Sequence, residues 1–270
     1  MLLDRDVLHR VRHLFDAEHL ALVLDAVIAG NTPAQVWTDD SAAPRTALVW
    51  DGAHSVYLGG AEDRLPEWRE LFVREIVPAA HGLVKAYVSD AFAAAVRSGG
   101  GSGATVLAGH RLQRRQRVLY RRPPGPIPAL AQRLPAGFRI SAIDDGYDEL
   151  AALGNFADVR AEIESGWRSV DDFRRTGFGF VAHDATTIAC WCTSECVSDG
   201  RCGIGIETVP AYGGRGFATL TASAFVDNCV NRDSTAYWDA WSTNRPSIAV
   251  AEKLGFGRVE TYSIFVVDLG

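Results

Sequence analysis

The chain has 270 residues and a mass of 29.2 kDa, which suits one large domain or two modest ones and excludes a peptide or a tail. Apolar residues make up 47% of it and charged residues 22%, which excludes wholesale disorder, and no run approaches the ~20 uninterrupted apolar residues that span a bilayer. The formal net charge of −6 disfavours nucleic acid as a partner, because phosphate backbones are themselves negative.

The first half of the chain is predicted to be mixed α and β structure. Apolar residues recur at helical spacing over residues 4–29, which predicts one or two helices that end at Gly30-Asn31. Two short β-type runs, 47–50 and 55–58, are separated by Asp51-Gly52, a hairpin signal. The remaining predicted elements are a helix at 65–80, a strand at 83–88, a short helix at 90–96 and a flexible loop at 98–103.

A domain boundary is predicted near the middle of the chain. Residues 111–122 are rich in arginine, and the alternation there fits a strand with a solvated basic face better than a surface for an anionic ligand. Residues 123–128 are too rich in proline for a helix or a central strand. We therefore predict an N-terminal domain at 1–122, a proline-rich linker at 123–136 and a C-terminal domain at 137–270.

The second half begins with a predicted strand at 138–140 and helical pattern over 147–167. Three strand-like runs then predict an antiparallel meander, with turn residues between them: 178–182, 187–192 and 203–209. The last predicted elements are a helix, a strand at 237–241, a helix at 247–254, and a closing pair of strands at 258–261 and 264–267.

A glycine-rich loop follows the third strand of the meander. Val209-Pro210 ends the strand, because proline has no N–H for the ladder, and the run Tyr212-Gly213-Gly214-Arg215-Gly216-Phe217-Ala218-Thr219 leads into a helix. A strand, a glycine loop and a helix in this order often bind a pyrophosphate on backbone N–H groups. Such turns are also common without a ligand, so the loop alone leaves both interpretations open.

A second motif lies downstream of the loop. Asn244-x-x-Ser247 opens a short helix that ends in Lys253-Leu254-Gly255-Phe256. The glycine loop followed by this motif resembles the acetyl-CoA core of the GCN5-related N-acetyltransferase (GNAT) superfamily, and within it the zwittermicin A-resistance acetyltransferases. The resemblance covers residues 138–270 and implies an α/β (α+β) fold whose C-terminal domain is a mixed, largely antiparallel twisted sheet flanked by helices. The smaller mixed domain before it is either a degenerate copy of this fold or a substrate-shaping domain.

The resemblance implies acetyl-CoA as the acyl donor. Its predicted binding residues are mostly backbone groups of the loop, together with two side chains near the pantetheine or phosphates: Thr208, Val209, Gly213, Gly214, Arg215, Gly216, Phe217, Ala218, Thr219, Asn244 and Ser247. This chain departs from the family pattern at two positions. Gly213 stands where the family usually has Arg or Gln, and Ala251 stands where it usually has the Tyr that protonates the departing thiolate.

The family reaction is direct attack of an amine on the thioester in a ternary complex. An alkyl amine with pKa ≈ 10.4 is almost wholly protonated at pH 7, so a base is useful, and the candidates are Glu207 and Glu195. A structural hydrogen bond is the alternative for Glu207, and a solvated turn carboxylate for Glu195. A backbone amide near Val209, freed where the strands part, is expected to meet the developing oxyanion.

The predicted activity is acetylation of an amine on a small molecule, such as an antibiotic or another metabolite. The alternative is a catalytically weak acyl-CoA sensor, because Gly213 and Ala251 replace functional side chains. Five cysteines, an odd number, indicate reduced thiols in a cytoplasmic protein. The cluster Cys190 to Cys202 lacks the paired C-x2-C spacing of zinc sites, and Cys190 and Cys192 fit one apolar face of a strand, so we expect no metal. Trp191, Trp238 and Trp241 fit either core or pocket positions. We expect no nucleic acid and no membrane partner, and a homodimer stays open.

Overall fold

The computed structural model describes residues 1–60, 65–80, 82–88, 106–107, 110–131 and 133–269. The chain folds into two compact units: Met1–Arg117 with Tyr262–Gly270, and Val118–Thr261. In this division the proline-rich segment 123–136 lies within the second unit, and the chain end returns to the first. The prediction of separate domains at 1–122 and 137–270 stays a prediction. None of the helices in the described ranges combines the length and apolar content that a membrane crossing needs.

The first unit begins with helices and continues into strands. Its elements in chain order are a 3-10 helix (Arg5–Leu14), α1 (Glu18–Ala29), β1 (Gln35–Thr38), β2 (Thr46–Trp50), β3 (Ser55–Gly60), α2 (Leu65–Leu71), a π-helical turn (Phe72–Ile76), β4 (Leu83–Tyr87), β5 (Val106–Leu107) and β6 (His110–Arg122), which ends in the second unit.

The second unit carries most of the helices that follow. Its elements are β7 (Arg139–Ala142), α3 (Ile143–Leu150), α4 (Phe156–Gly166), α5 (Val170–Thr176), β8 (Gly179–His183), β9 (Ile188–Ser198), β10 (Arg201–Thr208), a 3-10 turn (Pro210–Tyr212), α6 (Phe217–Asn231), β11 (Thr235–Trp241), α7 (Arg245–Lys253) and β12 (Gly257–Asp268), which ends in the first unit.

Four strands have the same arrangement in both units: three antiparallel strands and a fourth that is parallel to the third. In the first, the sheet order is β1-β2-β3-β4-β12, with β1, β2 and β3 antiparallel and β4 parallel to β3. In the second, the order is β6-β11-β10-β9-β8-β7, with β8, β9 and β10 antiparallel and β11 parallel to β10. In each unit a helix connects the third meander strand to the parallel strand. The two units therefore share this four-strand arrangement, and the interpretation of the first unit as a degenerate copy or as a substrate-shaping domain stays a prediction.

Most predicted elements are confirmed, and the differences have local causes. Asp51 accepts three backbone N–H groups at 2.8 to 2.9 Å, and these bonds close the predicted β2–β3 hairpin. The expected closing pair of strands is wrong, because β12 continues through Tyr262-Ser263, which contains neither glycine nor proline to turn the chain. Strands β1 and β5 and helix α5 were not predicted. The predicted elements at 90–96 and 98–103 lie outside the described residues.

Arg122 holds the proline-rich segment against the end of α7. Its side chain is only 6% exposed, and its Nε donates to the carbonyl of Leu254 at 2.9 Å. Its other guanidinium nitrogens donate to the carbonyls of Pro123, Gly125 and Pro126 at 2.7 to 3.2 Å. The prolines remove backbone donors from this segment, so the arginine supplies the hydrogen bonds that a regular element would have supplied internally.

We expect Arg122→Ala to lower the free energy of unfolding by about 2–4 kcal/mol, because it leaves several carbonyls in a half-buried segment without their donor. Arg122→Lys is the matched control: it keeps the charge and loses the branched donor group, so we expect an intermediate loss. Urea denaturation followed by circular dichroism measures both variants. An alanine variant with the wild-type midpoint would show that water replaces these bonds at no cost.

Candidate active site

The candidate site begins where β10 and β11 separate. These parallel strands pair at their first residues, from Arg201 opposite Thr235 to Gly203 opposite Tyr237. Within the described residues, no pairing between them continues beyond this point, although both strands do. The second half of β10 therefore has β9 on one side and an unpaired edge on the side toward β11.

The register of β9 and β10 determines which backbone groups face that edge. Val209 donates its N–H to the carbonyl of Ala189 at 2.9 Å, so the amide of Val209 itself is not the free donor that we expect near this residue. Residues of an antiparallel strand direct their N–H and C=O groups alternately to the two sides. Because Val209 bonds toward β9, Thr208 and Ile206 direct their backbone groups toward β11. These two residues can pair with an extended ligand.

The glycine loop leads from this edge into α6. Gly213 donates its N–H to Pro210 at 3.1 Å, which closes the 3-10 turn after the strand. Gly214 and Gly216 have φ angles of +72° and +86°, a region that L side chains rarely adopt. The backbone conformation therefore explains two of the three glycines in the loop.

The N-terminus of α6 is open to an anion. Gly216 is its N-cap residue, and no side chain caps the helix. The first N–H groups of a helix have no intrahelical acceptor, and the helix dipole adds positive potential there. In this chain those groups belong to Phe217, Ala218 and Thr219. A phosphate group could accept from them directly.

Arg215 adds a cation to the same loop. Its exposed guanidinium lies over three aromatic rings, at 5.8 Å from the centroid of Phe138, 5.4 Å from that of Tyr212 and 5.3 Å from that of Phe217. Cation–π attraction to these rings restricts the side chain without removing its charge. The family pattern has its Arg or Gln at the position of Gly213. In this chain the loop instead has a positioned cation two residues later, at Arg215.

Asn244 and Ser247 already have structural partners. The Asn244 side chain accepts the backbone N–H of Ser247 at 3.3 Å and so caps α7. The Ser247 hydroxyl accepts the indole N–H of Trp238 at 2.9 Å, and Trp238 is a core residue at 2% exposure. In this structure both predicted ligand residues position the start of α7 on β11.

Ala251 lies at the position where the family pattern has its acidic Tyr. The residue is fully buried and packs in a core cluster with Trp238 and Phe256. A phenol at this position would have to displace that core. The departure from the family pattern is therefore part of the packing of the second unit.

The two candidate bases lie on one face of the sheet. Glu207 pairs in register with Trp191, and both line a cleft of about 510 Å³ beside Val209 and Pro210. Glu195 does not line this cleft. A methyl group added to Gly205 would lie 2.8 Å from Glu195 Oε1 and 3.2 Å from Glu162 Oε1, so both carboxylates lie over that glycine. The structure thus brings Glu195 near the cleft and places Glu207 at its wall.

Helix α4 supplies the opposite wall of the cleft. Asp158, Ala161 and Glu162 line it, and their spacing puts them on one face of the helix. Sequence reasoning did not single out these residues. The available signal was the pair of acidic residues four positions apart in a segment of helical pattern.

Trp191 combines the two roles considered for it, because it is 4% exposed, packs against core residues of α4 and lines the cleft.

Four of the five cysteines are buried, and Cys196 is partly exposed. Cys190 accepts the Thr208 hydroxyl at 3.3 Å, and burial raises the pKa of its thiol to about 11, so it is neutral at pH 7. Cys202 contacts Cys229 with 3.5 Å between the sulfurs. Among the described residues, no group of three or more His, Cys, Asp or Glu side chains could hold a metal ion.

Comparison with known proteins shows the class to which this fold and site belong. A family model described as GNAT acetyltransferase matches residues 12–265. A Bacillus subtilis protein named an uncharacterized N-acetyltransferase, YdfB, is 24% identical over 257 residues, which are 94% of each chain. The crystal structure of a GCN5-related N-acetyltransferase-like protein from Streptococcus suis aligns with a TM-score of 0.68 at 18% identity, covering 96% of this chain and 98% of that one. A tandem GNAT protein from the clavulanic acid biosynthesis pathway aligns with a TM-score of 0.58 at 14% identity over 100% and 98% of the two chains.

The protein is an acyltransferase. It belongs to the GNAT acetyltransferase family, whose model spans parts of both units. The predicted fold class is confirmed, including the mixed, mostly antiparallel sheet flanked by helices. The narrower resemblance to zwittermicin A-resistance acetyltransferases stays a prediction.

Proposed function

We propose that the protein transfers an acetyl group from acetyl-CoA to an amine of a small molecule, and that the second unit carries the reaction. One observation carries the proposal: Glu207 lines an acidic cleft, and within a few residues the same chain segment forms an unpaired strand edge and the glycine loop. An acyl donor held along that edge and loop would end beside an acceptor in the cleft. The family membership supports the same reaction.

The donor side of the site has the groups that a coenzyme A ester needs. The backbone groups of Ile206 and Thr208 suit the amides of an extended pantetheine, and the open start of α6 suits the pyrophosphate. Arg215 would add charge to the same phosphates. When bound, acetyl-CoA supplies the thioester carbonyl that the amine attacks.

On the acceptor side, Glu207 is the proposed base. An alkyl amine with pKa ≈ 10.4 is neutral in only about one molecule in a few thousand at pH 7. Glu207 would accept the proton that the ammonium must lose before attack, directly or through one water. Glu195 is the second candidate, since its carboxylate lies over Gly205 on the same face.

The position of Ala251 defines the second candidate function, a catalytically weak acyl-CoA sensor. The residue is an alanine, so it cannot act as the family's usual acid, and its burial in the core leaves no space for a tyrosine there. A thiolate of pKa ≈ 8.5 is still a tolerable leaving group, so transfer does not require that acid. The resemblance to zwittermicin A-resistance acetyltransferases supports an antibiotic or metabolite amine as the acceptor of the transferase.

The test is calorimetric titration with acetyl-CoA, followed by thiol release against a panel of primary amines. We expect binding at one site per chain and turnover of at least one amine. Binding without turnover across the panel would favour the sensor. Absence of acetyl-CoA binding would contradict both functions and would show that the glycine loop is only a turn between β10 and α6.

A further inference from the structure

The backbone donors in the first turn of α7 are all occupied. Ser247 and Ile248 donate their N–H groups to the side chain and the carbonyl of Asn244, at 3.3 and 3.1 Å. Pro246 has no N–H, and Arg245 donates its own to a carbonyl of the preceding turn at 2.9 Å. The start of α7 therefore differs from the open start of α6 and leaves no backbone donor for a phosphate.

The side-chain hydroxyl of Ser247 keeps an unused hydrogen. Its oxygen accepts the indole N–H of Trp238 at 2.9 Å, and among the described residues its hydrogen has no acceptor. Ser165 shows the usual alternative, because its hydroxyl donates back to the carbonyl of Glu162 in the same helix at 2.8 Å. A hydroxyl that accepts a hydrogen bond is polarised and becomes a better donor. Ser247 is partly exposed, so a ligand can approach this donor.

Trp238 places this hydroxyl beside the point where β10 and β11 part. It is the first residue of β11 beyond the last pair with β10 in the described part of the sheet. Its side chain packs in one core cluster with Ile204 of β10, on the face that α6 and α7 cover. Side chains alternate along a strand, so Glu207 lies on the opposite face, where it lines the cleft. A thioester held in the gap between the strands would have Glu207 on one side and Ser247 on the other.

We propose that the Ser247 hydroxyl donates a hydrogen bond to the sulfur of coenzyme A as the thiolate leaves. The amine loses its proton to Glu207 and attacks the thioester carbonyl; the C–N bond forms, the C–S bond breaks and its electron pair stays on the sulfur. An aliphatic hydroxyl is a weaker acid than a thiol of pKa ≈ 8.5, so Ser247 keeps its proton and stabilises the thiolate through a charge-assisted hydrogen bond. This role rests on the proposed acetyl transfer.

Coenzyme A and desulfo-coenzyme A, which has a hydrogen in place of the thiol, separate this role from a structural one. A donor to the bound thiolate should lower the thiol pKa in the complex by about one unit from ≈ 8.5. The thiolate then binds more tightly than the thiol, so affinity for coenzyme A relative to desulfo-coenzyme A should rise about tenfold from pH ~6.5 to pH ~9.5. Calorimetric titration of both ligands measures this ratio. Ser247→Ala should remove most of the rise and leave the affinity for desulfo-coenzyme A unchanged.

Two variants serve as controls. Ser247→Thr keeps the hydroxyl and should retain the rise, whereas Thr243→Ala removes an exposed hydroxyl from the turn before α7 and should change neither affinity at any pH. A ratio that stays constant with pH in the wild type, or a rise that survives Ser247→Ala, would overturn the inference, while binding of desulfo-coenzyme A would still support the proposed donor site. Failure of both ligands to bind would contradict the proposed function itself, and this role of Ser247 with it.

Discussion

Gly214→Asp is expected to weaken acetyl-CoA binding by roughly 30- to 100-fold. The substitution places a carboxylate in the loop that precedes the open N-terminus of α6, where we propose that the pyrophosphate lies. Two like charges about 6 Å apart at a partly solvated site repel by about 2–3 kcal/mol, which corresponds to this loss of affinity. Isothermal titration with acetyl-CoA measures it directly.

Gly214→Asn controls for the change of shape. Gly214 has a φ of +72°, and a side chain there would meet no atom within 4 Å, so strain rather than collision is its only structural cost. Asn and Asp are the residues, other than glycine, that tolerate this conformation best, so both variants should fold. We expect the Asn variant to retain most of the affinity. Equal losses in the two variants would show that backbone conformation matters here, and that the loop does not face an anion.

Local signals predicted most of the second unit. The meander of β8, β9 and β10 follows from three β-type runs separated by turn residues, and the register then confirmed their antiparallel order. The start of α7 follows from Asn244 and Pro246, which suit the cap and the first turn. The end of the chain was harder, because the continuity of β12 depends on its partner β4, which lies far away in the sequence.

The candidate site shows where sequence reasoning stops. Glu207 and Glu195 could be proposed because they lie on strands next to a recognisable loop. Asp158 and Glu162 could not, because a helical acidic pair is usually a solvated face, and only the packing of α4 against β9 brings it to the cleft. The hydrogen bond of the Val209 amide could not be predicted from the sequence either, because it depends on which alternate residues of β10 bond to β9.

Glu207→Gln is expected to lower kcat/KM for the amine by about 100-fold at pH 7 and to leave acetyl-CoA affinity unchanged. The amide keeps the size of the side chain and cannot accept the proton, so the loss should fall on the amine's deprotonation. It should shrink as the pH rises toward ~10, because the free amine then becomes abundant in solution. Steady-state kinetics across this pH range measure the effect. Glu195→Gln is the matched control on the same face of the sheet, and we expect a small effect from it. A larger loss of kcat/KM in the Glu195 variant would make Glu195 the base instead of Glu207. If both variants kept the wild-type pH profile of kcat/KM, neither carboxylate would be the base, and a water relay would have to deprotonate the amine.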